Sequence, residues 1–533
     1  MAKAHTTTSS RVHVKTTATR GMKIDAVGKA HANDAKANDA KAKGVKAKGA
    51  VDTATSKMQQ PAGENAPEAL QKFAADPRVC VRHGGAARAG KCVVYWMQRS
   101  QRGIDNHAVN IAVAVANELK LPVVAYFAGI ANFPHANLRH YAFLQQGLQD
   151  IEADLAQRGI GFVMRRAPHE SHERFFADVD AAFVVGDENP MREPERWRER
   201  IADHCATMLH APFWTVDADV VVPSRLIDKA QYGAYTIRPR LLRALPEFLV
   251  PYENPRAVVP WRKPKELKVD SLTEDITRGW KSLDRSVKPV AFWHGGTHAA
   301  QARLKHFVTH LLRDYGSERN KPDTDGTSCM SPYLHYGHLS SQSIALAVKA
   351  AVEADNTLAE ARTSYFNELI VWRELAVNLC LYRKDYDAVS CAENWARATI
   401  AEHDKDEREH LYTLDQLDRG ETYDELWNAA QMQMVRHGWM HNYMRMYWAK
   451  KIVEWTPDAA TALKYCIHMN DRYFLDGRDP NGYAGAAWAI LGKFDRAWGS
   501  RPVFGKRRYM SGASTARKFN TKSYITQVRA LPE

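Results

Sequence analysis

The stretch "HGWMHNYMRMYWAKKIVEW" (residues 437–455) sets three Trp, three Met and two Tyr among His, Asn, Arg and Lys. On a helix of about 100° per residue running from 439, Trp439, Asn442 and Met446 fall on one side. Met440, Met444, Trp448, Ile452 and Trp455 gather on the other. A helix with two opposed apolar faces sits inside a domain, so this stretch predicts an all-helical domain around it. Trp448 and Trp455 stand two turns apart, roughly 10 Å along the axis. Indole gives up one electron readily, so the Trp stripe reads either as ordinary core or as a path for electrons. Spacing alone leaves both open.

The helical pattern extends outward. From about residue 297, "AAQARLKHFVTHLLRDY", "SSQSIALAVKAAVEA" and "LAEARTSYFNELIVWRELAVNLCLY" are amphipathic, and β-type alternation is missing. This half holds eight of the chain's fourteen Trp (372, 395, 427, 439, 448, 455, 488 and 498). From about 88 the pattern is different. "KCVVYWM" (91–97), "LPVVAYF" (121–127), "GFVMRR" (161–166), "AAFVVGDE" (181–188) and "FWTVDADVVV" (213–222) are short β-branched and aromatic runs, with helical patterns near 105–119, 138–158 and 192–208 between them. That alternation predicts a parallel, doubly wound, Rossmann-like sheet over 85–224. No GxGxxG follows the first strand, where "QRSQRGIDN" stands instead, which disfavours ordinary dinucleotide binding there. Residues 225–296, with "VPYENPRAVVPWRKPKE", read as a long interdomain connection to the helical domain of 297–533.

Composition bounds the rest. Hydrophobic content of 45% and charged content of 25% fit a soluble globular chain. No run of eighteen apolar residues predicts a membrane span, and "MAKAHTTTSSRVHVK" lacks the apolar stretch of a secretory leader. The seven Cys are scattered and never form CxxC, and HExxH is absent; reduced thiols and no metal are expected. Net charge is +13, and residues 1–65 carry 12 Lys/Arg against 5 Asp/Glu. This tail, with "HANDAKANDAKAKGVKAKGA", reads as disordered and basic: a DNA-holding arm, or a solvated extension or targeting leader.

Three further constellations carry chemistry. "DGTSCMSPYLHYG" (325–337) sets Thr327, Ser328 and Ser331 at a Pro-marked helix start, which makes either a plain cap or an anion site. "NDRYFLDGRDPNGYAGAAWAI" (470–490) is a connecting loop or a bed for a flat heterocycle. "YFNELIVWREL" (365–375) places Glu368 and Trp372 four apart on one face; the carboxyl is solvated, or the pair suits a stacked, hydrogen-bonded base.

Taken with "WNAAQMQM" (427–434) and "RPVFGKRRYM" (501–510), these motifs strongly resemble the photolyase/cryptochrome family, and within it the class II cyclobutane pyrimidine dimer (CPD) photolyases, over roughly residues 85–530. The resemblance implies an N-terminal Rossmann-like antenna domain, a long linker and an all-helical domain burying FAD. It also implies a possible antenna pigment, a deazaflavin or a folate. Tyr315, Thr327, Ser328, Met330 (where Leu is more usual) and Ser331 would hold the FAD phosphates, with Arg373 in the flavin pocket. Asn470 would lie beside flavin N5, and the Arg445–Asp476 ion pair beside the ring system, favouring the anionic reduced flavin.

For the substrate, Glu368, Trp372, Asn442, Met446 and Trp488 would receive a flipped dimer; flipping is a general property of photolyases and comes with the resemblance. Arg319, Arg496, Lys506 and Arg507 would meet flanking phosphates or form solvated surface. Trp448, Trp427 and Trp455 would form the electron path, Trp448 nearest the flavin, Trp427 further out and Trp455 a branch. The implied reaction is light-driven and redox-neutral: excited reduced FAD gives an electron to the dimer, the two cyclobutane bonds split, and the electron returns. The implied partner is ultraviolet-damaged DNA, met by a monomer in cytoplasm or nucleus. Rival readings are a cryptochrome-like receptor without repair, a six-four photoproduct enzyme, whose two catalytic His would stand where Asn442 and Met446 are, and a DNA-compacting protein.

Overall fold

The computed structural model describes residues 67–532, so the basic tail read over 1–65 lies outside the described residues. β2 (Cys92–Met97) lies in the interior of a six-stranded sheet whose order is β1-β6-β5-β2-β3-β4. β3 (Val123–Gly129), β4 (Gly161–Arg166), β5 (Ala181–Asp187) and β6 (Phe213–Val216) run parallel to it, and β1 (Val79–His83) closes one edge antiparallel to β6. Every residue of β2, β3 and β5 is buried, because helices cover both faces. Alternation assigns the side chains. Val93, Tyr95 and Met97 enter one core with Phe183 and Trp214, while Cys92, Val94 and Trp96 enter the other with Tyr126 and Phe213.

The sheet departs from the sequence reading at its edges. β1 and the helix Glu68–Ala74 precede residue 85, and Leu70 and Val79 pack into the same core as β2. The run 213–222 stays a strand only to Val216. Beyond it Asp217 accepts the Ser224 N–H, and Asp219 turns to meet Arg99 and Arg373, so "DADVVV" is pulled out of the sheet by its carboxylates.

The connection 225–296 contains a fifteen-residue helix, Ala234–Phe248, despite Pro239 and Pro246 within it. The rest of the connection is irregular but anchored. Ile276, Trp280 and Leu283 sit in the sheet's core, whereas Ile237, Leu241 and Leu249 sit in a helical one. No described residue after Val216 forms a strand of the sheet.

The stretch 437–455 is not one helix. Glu425–His437 ends at Gly438, whose φ of 68° is the left-handed stop that glycine adopts without strain. His441 then caps a new helix, Asn442–Glu454, its ring Nδ1 accepting the Tyr443 N–H at 3.1 Å. Trp439 therefore leaves the face shared by Asn442 and Met446 and packs beside Trp293 and His437. The other face is as expected: Met440, Met444, Trp448, Ile452 and Trp455 are all buried in one core.

Candidate active site

Two π-helical turns shape the site. Asn367–Trp372 interrupts the run from Ala359–Phe366 to Arg373–Tyr382, and Ala487–Leu491 continues Pro480–Ala486. A π turn inserts one extra residue, re-aims the side chains on it, and recurs at functional sites. The first carries Glu368 and Trp372, the second Trp488. Their composition has no signature, so the sequence did not disclose them. Trp372 and Trp488 are half-buried, as is Met446, and Asn442 is exposed.

Glu368 is held by Arg319 at 2.7 Å, both side chains about a quarter exposed (28% and 25%). Its guanidinium lies on the Glu368 carboxylate and over the Tyr315 ring, contacts that compete with the expected one to a DNA phosphate. His441, which sequence reasoning passed over, lies within electrostatic reach of both Arg319 and Arg445. Burial first, then those two cations, pushes it down to about 4. An imidazole held that far below its usual range is a poor general acid near neutral pH.

Arg445 and Asp476 form a bidentate pair at 3.0 and 2.9 Å, with Phe474 under the guanidinium at 3.9 Å. Asn470 donates to Asp471 at 2.8 Å, and Gly482 keeps its amide clear: a Cβ there would stand 2.7 Å from Asn470 Nδ2. At the other constellation, Arg303 clamps the carbonyls of Ser328 and Thr327, both at 2.9 Å, and Cys329 takes a left-handed φ of 55°. The helix Ser331–Tyr336 then begins with no side-chain cap. Met330 and Tyr315 are buried beneath, Tyr315 edge-on to Tyr365. Uncapped amides, half-exposed Thr327, Ser328 and Ser331, and the cleared Asn470 amide fit a phosphate-bearing heterocycle.

Arg373, expected in the flavin pocket, is buried and already partnered. Its terminal nitrogens bond the Asp219 carbonyl and carboxylate within a buried network of Arg99, Asp219, Asp479 and His335. Arg507 is corrected: it is 1% exposed and donates to the carbonyls of Ile490, Val503 and Phe504, so no phosphate reaches it. Arg496 and Lys506 are exposed. Beside them, Arg508 was overlooked; it lies over the exposed Trp498 at 4.3 Å and pairs with Asp495.

The buried Trp form a row. Trp448 and Trp427 stack at 6.4 Å with planes 8° apart, and Trp427 meets Trp455 at 5.3 Å. Hydrogen bonds fix the first two: Trp448 Nε1 donates to Gln431 at 2.8 Å and Trp427 Nε1 to the Trp448 carbonyl at 2.9 Å. Trp455, expected as a branch, meets the row at Trp427. Tyr412 and the exposed Tyr423 flank it at 5.4 and 5.6 Å.

A cavity of about 460 Å³ opens at the carboxyl ends of β2 and β3, lined by Trp96, Phe127, Tyr141, His172 and Trp197 among others. Open α/β sheets take ligands at this edge. The Gln98 amide, Gln101 Oε1 and His172 Nε2 are buried there without partners among the described residues. The "QRSQ" turn itself is filled from within. Asp187 accepts the N–H groups of Gln98, Arg99 and Ser100 at 2.9, 2.8 and 2.8 Å, the donors a dinucleotide phosphate would need.

Comparison with known proteins places this geometry. Similar folds occur in a class III photolyase from Agrobacterium tumefaciens (TM-score 0.63, 19% identity, 83% of this chain and 87% of that one) and in a Synechocystis cryptochrome (TM-score 0.65, 16% identity, 84% and 90%). The fold is thus that shared by photolyases and cryptochromes. The DNA photolyase family model matches residues 93–258. Deoxyribodipyrimidine photo-lyases are similar over most of the chain. That of Methanothermobacter thermautotrophicus is 40% identical, over 83% of this chain and 95% of its own length, and that of Potorous tridactylus is 38% identical, over 82% and 81%. The chain belongs to the DNA photolyase family. No helix among the described residues is long and apolar enough to cross a membrane.

Proposed function

We propose that the chain repairs ultraviolet-damaged DNA in light, taking a cyclobutane pyrimidine dimer out of the duplex and splitting it. FAD, when bound, supplies light absorption and the electron. Thr327, Ser328, Ser331 and the amides opening Ser331–Tyr336 would hold its phosphates, and Asn470 with the Arg445–Asp476 pair would flank its ring. The chain's own work is orientation and electrostatics. Trp372 and Trp488 grip the flat faces of the dimer, Glu368 bonds its polar edge, and Arg319 fixes Glu368 from behind. Arg496, Lys506 and Arg508 hold the strand by its phosphates.

One observation carries the reading. The two π turns present Glu368, Trp372 and Trp488, while the helix between them contributes Trp448 to the buried row. The set Glu368, Trp372, Asn442 and Trp488 favours repair over a light receptor without it. A six-four enzyme needs a pair of His acids, and Asn442 and Met446 stand where those would be. Purified protein mixed with ultraviolet-damaged thymine oligomers is expected to lower dimer content under blue light and not in the dark. Binding without loss of dimers would overturn the reading.

The same reading assigns the cavity beside β2 and β3 to a light-gathering pigment, a deazaflavin or a folate. Its size and its unpartnered Gln98, Gln101 and His172 groups support a flat polar heterocycle. It also keeps an antenna part over 85–224, a linker over 225–296 and a catalytic part over 297–533. The basic tail is assigned to DNA. Deleting 1–65 is expected to leave light-driven splitting intact and to flatten the salt dependence of DNA binding, since fewer phosphates are neutralised. An unaltered slope of log affinity against log salt would remove the tail from the interface.

A further inference from the structure

Lys450 follows Trp448 by two residues on Asn442–Glu454, and its side chain is fully buried. Its Nζ has no hydrogen-bond partner among the described residues. It lies 5.1 Å from the centre of the Trp488 ring, on which Arg508 also bears at 5.8 Å. An amine buried without a partner is costly, and the neighbouring buried lysines avoid that cost. Lys451 pairs with Glu454 at 2.9 Å, and Lys493 pairs with Glu393. The ring contacts are also uneven. Trp488 carries two cations, whereas among the described residues neither Lys nor Arg lies over Trp427 or Trp448.

We propose that Lys450 is a positioning residue of the lesion pocket, acting through Trp488. Its amino group seats the indole from inside the protein and places a buried positive charge behind it, toward which negative charge developing on a dimer held at Trp488 is drawn. A fixed charge in a water-poor interior acts far more strongly than one in solvent. The proposal rests on the repair reading for its function, but the contact between amine and ring does not.

The charge is also conditional. Burial, then the Arg507 cation, brings the amine down to about 7; Arg508 adds to the lowering and Asp495 opposes it. These charges act on Nζ through space, and the Trp488 ring lies against it. Burial works against the Asp495 carboxylate, but its hydrogen bond to Arg508 holds it below its usual range. Lys450 is therefore the group that changes charge near neutrality, cationic at lower pH and neutral at higher pH.

The test compares wild type, Lys450→Met, Lys450→Arg and Trp488→Phe. At saturating damaged DNA, dimers split per absorbed photon are expected to fall as pH rises from about 6 to about 8.5 in wild type, through a group titrating at about 7. Lys450→Met is expected to be roughly three- to tenfold lower and flat with pH, with unchanged dark affinity for undamaged DNA. Lys450→Arg is expected to keep the yield and lose the slope. A Met variant with wild-type yield and slope overturns the proposal; should that variant not fold, a flat wild-type profile does so alone. A second readout needs no repair. Fluorescence assigned to Trp488, by difference from Trp488→Phe, is expected to titrate at about 7 in wild type. Titration without any light-dependent splitting would sink the repair reading and keep the contact, whereas splitting without titration would sink the role of Lys450.

Discussion

Trp448→Phe is expected to stop the bleaching of oxidised flavin when the purified protein is lit with blue light and an external reductant. The same variant, reduced chemically beforehand, is expected to split dimers at nearly the wild-type rate. The row explains both halves. Trp448 stacks on Trp427 at 6.4 Å and 8°, and Trp427 passes on to Trp455 at 5.3 Å, with the exposed Tyr423 beyond. A benzene ring does not yield an electron as indole does, so the replacement cuts the row at its inner end and leaves the pocket residues in place. Packing suffers modestly. Shrinking a side chain only 2% exposed costs about 1–3 kcal/mol, and Gln431 loses the indole N–H it accepts. That loss calls for comparison with Trp427→Phe, which also interrupts the row but frees a backbone carbonyl instead of an amide. Wild-type bleaching in both variants would show that the row carries no electrons.

How far the sequence discloses this arrangement depends on which physical signal each part rests on. The sheet was legible because its strands are buried on both faces and therefore read as unbroken apolar runs. β1 was missed, being short and half-exposed, with Arg82 and His83 inside "VCVRH". The helix at Ala234–Phe248 was hidden by its two prolines. The helix read from 439 starts at Asn442 instead, because the apolar pattern runs through Trp439 and Met440 while the His441 cap leaves no distinctive signal. In the site, residue types were legible and their partners were not. A guanidinium reads the same whether it meets DNA, Asp219 or a row of carbonyls, and only burial separates Arg496 from Arg373 and Arg507. His441, Arg508 and Lys450 went unnoticed for the same reason: their meaning lies in what packs against them.

Glu368→Gln is expected to lower light-driven splitting by roughly 10- to 100-fold, the loss of one charge-assisted hydrogen bond of about 1.5–3 kcal/mol, while flavin content stays at the wild-type level. The carboxylate lies on the same π turn as Trp372 and is not among the residues assigned to hold the cofactor. Its removal also releases Arg319. That cation is a quarter exposed and can take water, so stability is expected to change by no more than about 1 kcal/mol. Arg319→Ala separates the two contributions. If Arg319 serves to hold Glu368, its loss should lower splitting through a misplaced carboxylate, and adding it to Glu368→Gln should change little more. If instead it holds a DNA phosphate, its loss should weaken dark binding to every DNA and reduce the salt slope by about one, independently of Glu368. The ion pair at 2.7 Å favours the first outcome. Unchanged splitting in Glu368→Gln would place the polar grip on the dimer elsewhere in the pocket, with Asn442 the next side chain to replace.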